Sequence, residues 1–151
     1  MLRMSVEGSV LRALDTLRAL YGLECDVSLR ELIEYLTGPR YEEDTTTLDD
    51  VFRSWLLTLH EVAEICILKS WGFDIGRDTV VKAYPHTYRA HLAAMEIELR
   101  EALRTGALKH LESRCRDLET YLSDPYLPRG LEKEVTKLLN ELCNTVKKAV
   151  S

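Results

Sequence analysis

His60, Glu61 and Glu64 stand together in 59-LHEVAEI-65, and their types and spacing suit a metal-binding helix. An imidazole and a carboxylate at i and i+4 share one helical face, so one helix can offer two ligands to a single ion. A second imidazole, His91, lies on the core edge of a later apolar helix, with Glu98 two turns further along that edge. His60, Glu64 and His91 are the candidate ligands. Glu98 is a candidate fourth ligand or a group that orients one, and Glu61 or Glu98 is the candidate catalytic base. Glu61 sits about 100° round the helix from His60, so it acts only if the site wraps that side. Two histidines with one or two carboxylates suit Zn, Mn or Fe rather than Mg alone. Such an ion acidifies a bound water and makes hydroxide near neutral pH, a nucleophile for phosphate esters or nucleotides. The competing reading is structural: His60 and Glu64 bond to each other or to a tyrosine and complete a core. Either way they need partners, because an unpaired buried polar group costs about 1–3 kcal/mol.

The segment Leu59–Ile65 resembles the L-H-D-[IL]-x-[KE] core of HD-domain phosphohydrolases. That resemblance implies an all-α enzyme whose His60-Glu61 doublet binds divalent metal, with His86 or His91 as a later histidine. Glu61 stands where the family has aspartate, and no histidine precedes His60 to supply the family's upstream ligand. Glu61 and Glu64 are also similar to the E-x-x-E helix of MazG-type nucleotide pyrophosphohydrolases, whose E-x-x-D motif has no clean counterpart here. Arg104 and His110 resemble the R-x(4–6)-H spacing of HEPN ribonucleases, with Gly106 falling between them.

These residues must be carried by helices, and the chain is patterned for them. The central stretch runs from Thr47 to Gly72 without an internal Gly or Pro, and Thr47 with Asp50 forms its capping signal. Its stripe Leu48, Phe52, Trp55, Leu59, Val62 and Cys66 is matched by Leu57, Ile65 and Leu68 on the far side, so neighbours should surround it. Residues 5–21 form an amphipathic helix, and Ser28 with Glu31 caps a second one that stops at Gly38-Pro39. The polar loop after it contains Glu42-Glu43-Asp44, read as a solvated run. Pro85 opens a long helix reaching Arg104, with Tyr84, Tyr88, Leu92, Met95, Leu99 and Ala102 facing the core. Beyond Gly106, the seam Leu108, Leu111, Cys115, Leu118, Leu122 is followed by Leu131, Val135, Leu138, Leu142, Val146 after a proline-containing turn. The expected fold is all-α: one domain spanning 1–151, a bundle of five to six helices ending in an antiparallel hairpin.

The 151 residues carry a net charge of −5 and no basic cluster, which argues against nucleic-acid binding. No apolar run is long enough to span a membrane and the N-terminus lacks a signal-peptide core, so the expected location is cytoplasmic. Gln is absent and only Asn140 and Asn144 represent Asn, a composition that points to a thermophilic source. Cys25, Cys66, Cys115 and Cys143 are too scattered for a zinc ribbon and read as small core hydrophobes, or as disulfides if the source is a hyperthermophile. No phosphate-cradling glycine loop and no serine-nucleophile signature occurs. Lys69, Arg77, Lys82 and Arg89 are candidate contacts for a phosphorylated small molecule. The function expected from the residues is metal-dependent hydrolysis. The alternative is a non-catalytic module that dimerises or docks a partner to cover Leu57, Ile65 and Leu68, or a ligand pocket lined by Trp55, Tyr88 and the His/Glu cluster.

Overall fold

A computed structural model describes residues 6–39 and 47–144; the acidic run Glu42-Glu43-Asp44, residues 1–5 and Val146 lie outside the described residues. The helices are α1 (Val6–Tyr21), α2 (Leu29–Thr37), α3 (Leu48–Arg53), α4 (Trp55–Ser70), α5 (Thr79–Lys82), α6 (His86–Thr105), α7 (Leu108–Thr120) and α8 (Leu131–Leu138). A 3-10 turn, Tyr121–Ser123, follows α7, and a π turn, Leu139–Cys143, continues α8. No strand occurs among the described residues, and the fold is an all-α bundle.

Both capping boxes read from the sequence are formed: Ser28 with Glu31 opens α2, and Thr47 with Asp50 opens α3. The uninterrupted helix expected over 47–72 is not. Ser54 leaves the helical conformation (φ −119°, ψ 118°) and its hydroxyl accepts from the Leu57 N–H, capping a new helix, α4. Thr58 Oγ1 donates to Val51 O at 2.6 Å and seals the corner. Hydroxyl side chains compete with the helical ladder in this way, and here two of them, four residues apart, win. The break, together with the short α5, gives eight α-helices among the described residues where five or six were expected.

After the corner, α4 becomes the axis of the bundle. It packs most extensively on α6, and also on α1, α2 and α3. Of the three residues expected to need covering, Ile65 and Leu68 are fully buried by the chain's own helices, while Leu57 is half-buried. The apolar residues divide into two clusters. One joins α1 and α2 with one side of α4, and the other joins α6, α7 and α8 around Met95, Leu99, Leu111 and Leu118.

Each cluster contains one disulfide: Cys25–Cys66 ties the α1–α2 connection to α4, and Cys115–Cys143 ties α7 to the π turn. The bridges close loops of 41 and 28 residues, for which chain entropy gives about 4 and about 3.5 kcal/mol. Cys25→Ala/Cys66→Ala is expected to lose about 2–4 kcal/mol in urea unfolding of the oxidised protein. A loss below about 1 kcal/mol would mean that the denatured chain already keeps these ends together.

A close approach explains the end of α2. A Cβ on Gly38 would lie 1.7 Å from the Arg77 carbonyl oxygen, so the α2 terminus and the 73–78 loop touch backbone to backbone. Gly38→Ala must push one of them aside and is expected to cost about 1–3 kcal/mol. Thermal unfolding of that variant checks this; an unchanged midpoint contradicts the contact.

Candidate metal centre

The two long central helices place the candidate ligands opposite one another. His60 and Glu64 lie one turn apart on α4, and His91 reaches them from α6. His60 is fully buried, Glu64 is nearly so, and the His91 side chain keeps 17% of its surface exposed. The inner atoms form a triangle. His60 Nε2 lies 3.2 Å from His91 Nδ1, His91 Nδ1 lies 2.7 Å from Glu64 Oε1, and His60 Nε2 lies 3.6 Å from Glu64 Oε1. Ligand bonds of about 2.0–2.2 Å set neighbouring donor atoms about 3.0–3.5 Å apart, so the triangle has the size of one face of a coordination shell.

The outer atoms of the same three residues are each held by a partner. Glu98 Oε1 accepts from His60 Nδ1 at 2.8 Å, because an ionised carboxylate can only accept. That fixes the tautomer of a neutral His60 and leaves Nε2 as the bare nitrogen facing Glu64 and His91. Tyr35 of α2 donates to Glu64 Oε2 at 2.5 Å, turning Oε1 inward. The Tyr121 hydroxyl meets His91 Nε2 from the 3-10 turn, with the two rings edge to face. Metal-binding histidines and carboxylates are characteristically held from behind like this.

Glu98 is itself anchored on α7. His110 Nε2 donates to its Oε2 at 2.5 Å, and Arg114 donates through Nε at 2.8 Å and Nη2 at 3.2 Å. These contacts explain the electrostatics. Burial alone would raise the Glu98 carboxyl, but hydrogen bonds from His110 and His60 and the Arg114 charge hold it well below the usual carboxylate range. Glu64 is likewise held low against burial, by the His91 charge and the His60 hydrogen bond. Burial would strip the proton from His60, yet Glu64 and Glu98 outweigh it and push the imidazole up to about 10.

The other candidates are placed as follows. Glu61 is buried beside His60 and its charge acts on that imidazole, but it is not one of the three residues whose ligand atoms converge. Arg104 is bound to Glu101 and His110 to Glu98, so the two residues of the R-x(4–6)-H spacing serve different carboxylates. His86 packs against Phe73 and Trp71, away from the triangle. Lys69 is tied to Glu31, Lys82 to Asp78, and Arg77 to Thr37. Tyr88 donates to Asp124, while Trp55 lines a separate cavity with Arg12.

Tyr35, His110, Arg114 and Tyr121 were not in the sequence-derived site. His110 and Arg114 carried a usable signal: at i and i+4 they flank the apolar seam of α7 and face the same way. Tyr35 and Tyr121 carried none, because only the packing of α2 and of the 3-10 turn brings them in.

The molecule is thus an all-α bundle with a buried His/Glu cluster able to hold one metal ion. Comparison with protein-family models, curated proteins and solved structures finds no match. No described helix is long and apolar enough to cross a membrane.

Proposed function

We propose that His60, Glu64 and His91 bind a divalent transition-metal ion, and that the bound ion serves hydrolysis of a phosphate ester or nucleotide. One observation carries this reading: the outer atom of each residue is clamped, and the three inner atoms turn to a common point. Two imidazole nitrogens and one carboxylate oxygen suit Zn, Mn or Fe. Three protein ligands leave a position for water, the arrangement of hydrolytic rather than structural sites. The ion would supply an acidified water as nucleophile, and partly exposed His91 marks the side from which water and substrate approach. Glu98, already accepting four hydrogen bonds, orients His60. Glu61 is the remaining candidate for the base.

The test is elemental analysis of protein purified without an affinity tag. About one equivalent of metal per chain is expected, lost in His60→Ala/His91→Ala while helical circular dichroism is retained. Metal that is absent, or unchanged in the double variant, sinks the reading. Phosphate release from a nucleotide panel, assayed on the metal-loaded protein, separates binding from hydrolysis: full occupancy with no release leaves the ion and removes the hydrolase.

One observation favours a second reading, in which the cluster is structural and the protein is a non-catalytic module that self-associates or docks a partner. Every buried side-chain polar atom among the described residues already has a hydrogen-bond partner. Under that reading the purified protein carries no metal, and adding Zn or Mn leaves its melting temperature unchanged.

The paired cysteines also bear on location. Disulfides persist in oxidising compartments and in the cytosol of hyperthermophiles. The second setting reconciles the two bridges with a cytoplasmic, amide-poor thermophilic protein.

A further inference from the structure

Between α1, α3 and the start of α4 lies a cavity of about 610 Å³, lined by Arg12, Asp49, Phe52, Arg53 and Trp55 among others. It is separate from the metal centre: Trp55 precedes His60 by five positions on α4, about 140° round the helix. The Arg12 guanidinium lies 3.9 Å over the Trp55 ring. Of the eleven arginines among the described residues, six (Arg18, Arg30, Arg100, Arg104, Arg114 and Arg116) each sit on a carboxylate. Arg12 and Arg53, like Arg77, Arg89 and Arg129, form no such pair among the described residues; the Arg12 charge acts on Glu101 and the Arg53 charge on Asp50 from beyond ion-pair distance. Two arginines thus line one cavity together with two aromatic residues, Phe52 and Trp55.

We propose that this cavity binds a small phosphorylated aromatic compound, of the size and charge of a nucleoside monophosphate. A guanidinium stacked on indole is already immobilised, so its N–H edge meets an oxyanion in a fixed, bidentate geometry. Arg53 supplies the second positive wall. Phe52 and the edge of Trp55 offer apolar surface to a planar ring, and Asp49 can accept from an exocyclic amino group. The volume falls within the roughly 300–1,000 Å³ of small-molecule sites. The cavity does not depend on the metal reading, and a metal-free protein retains it.

The test uses the full chain with Trp71→Phe, so that fluorescence reports Trp55 alone. Adenosine monophosphate is expected to quench it saturably at submillimolar concentration. Arg12→Ala and Arg53→Ala are each expected to weaken binding at least about tenfold, as befits loss of a charge-assisted hydrogen bond. Adenosine and inorganic phosphate, each lacking half of the ligand, are expected to bind at least about tenfold more weakly than the nucleotide. Absence of saturable quenching at millimolar nucleotide overturns the proposal. So does quenching that survives both substitutions, or inorganic phosphate binding as tightly as the nucleotide. Arg53 is exposed, so its variant carries the test even if Arg12→Ala unfolds the protein.

Discussion

Glu98→Ala is expected to lower stability by about 3–5 kcal/mol. Its carboxylate has no exposed surface and receives four hydrogen bonds, from His60, His110 and twice from Arg114. Removing it leaves the Arg114 guanidinium, whose side chain is only 11% exposed, facing a void with the exposed Asp117 carboxylate, 3.1 Å from Nη1, as its remaining counter-charge. Breaking one member of a buried pair is costly because the remaining charge stays desolvated. Glu98→Gln keeps the shape and one acceptor oxygen but loses the charge and places an NH₂ against a donor, so an intermediate loss of about 1.5–3 kcal/mol is expected. Glu98→Leu/Arg114→Leu removes both charges together and should recover part of the deficit. Urea unfolding of the series decides it: an alanine variant within about 1 kcal/mol of the parent would show that the network contributes no net stability.

What the sequence could reveal here follows the range of the interactions involved. Helix class and most boundaries were readable because they depend on neighbours within a few positions: Ser28 with Glu31, Thr47 with Asp50, Gly106 after α6. The His60/Glu64 pair was readable for the same reason, since four-residue spacing sets two side chains on one face. His91 could be suggested from its place on the edge of an apolar stripe, and the packing of α4 on α6 then brings it within 3.2 Å of His60. The break at Ser54 is local too, but its Ser and Thr stand inside a strongly apolar run whose helical periodicity continues across them. Tyr35, Tyr121 and the cysteine pairing were not readable. Each depends on the rotation and offset of one helix against another, which hydrophobic periodicity leaves free. Part of the apolar surplus on α4 has the same origin: Ile65 and Leu68 face helices of the same chain, whereas Leu57 stays half-buried.

Without a bound ion, the protein is expected to be most stable between about pH 4.5 and 6.5 and to weaken on both sides. On the acid side, Glu64 and Glu98 have pKa values held below those of the unfolded chain. Their contribution is complete above the ordinary carboxylate value of 4.5 and is lost as pH falls toward the folded-state values. Glu31, Asp50, Asp78 and Glu101 are also lowered and steepen that limb. On the alkaline side the sign reverses. His60 is raised from 6.5 to about 10, so its contribution is complete below 6.5 and is lost as pH climbs toward 10. Tyr21, raised from 10.0 to about 12 by burial and the Glu101 hydrogen bond, begins to matter only beyond that interval. Urea midpoints should therefore fall between about pH 6 and about pH 9.5, and His60→Gln should flatten that fall. A profile that is already flat in the parent means that folded His60 holds no extra proton. A metal ion at Nε2 takes the place of that proton, because ligands must be deprotonated to bind. Added Zn should accordingly flatten the alkaline limb of the parent and leave that of His60→Gln untouched.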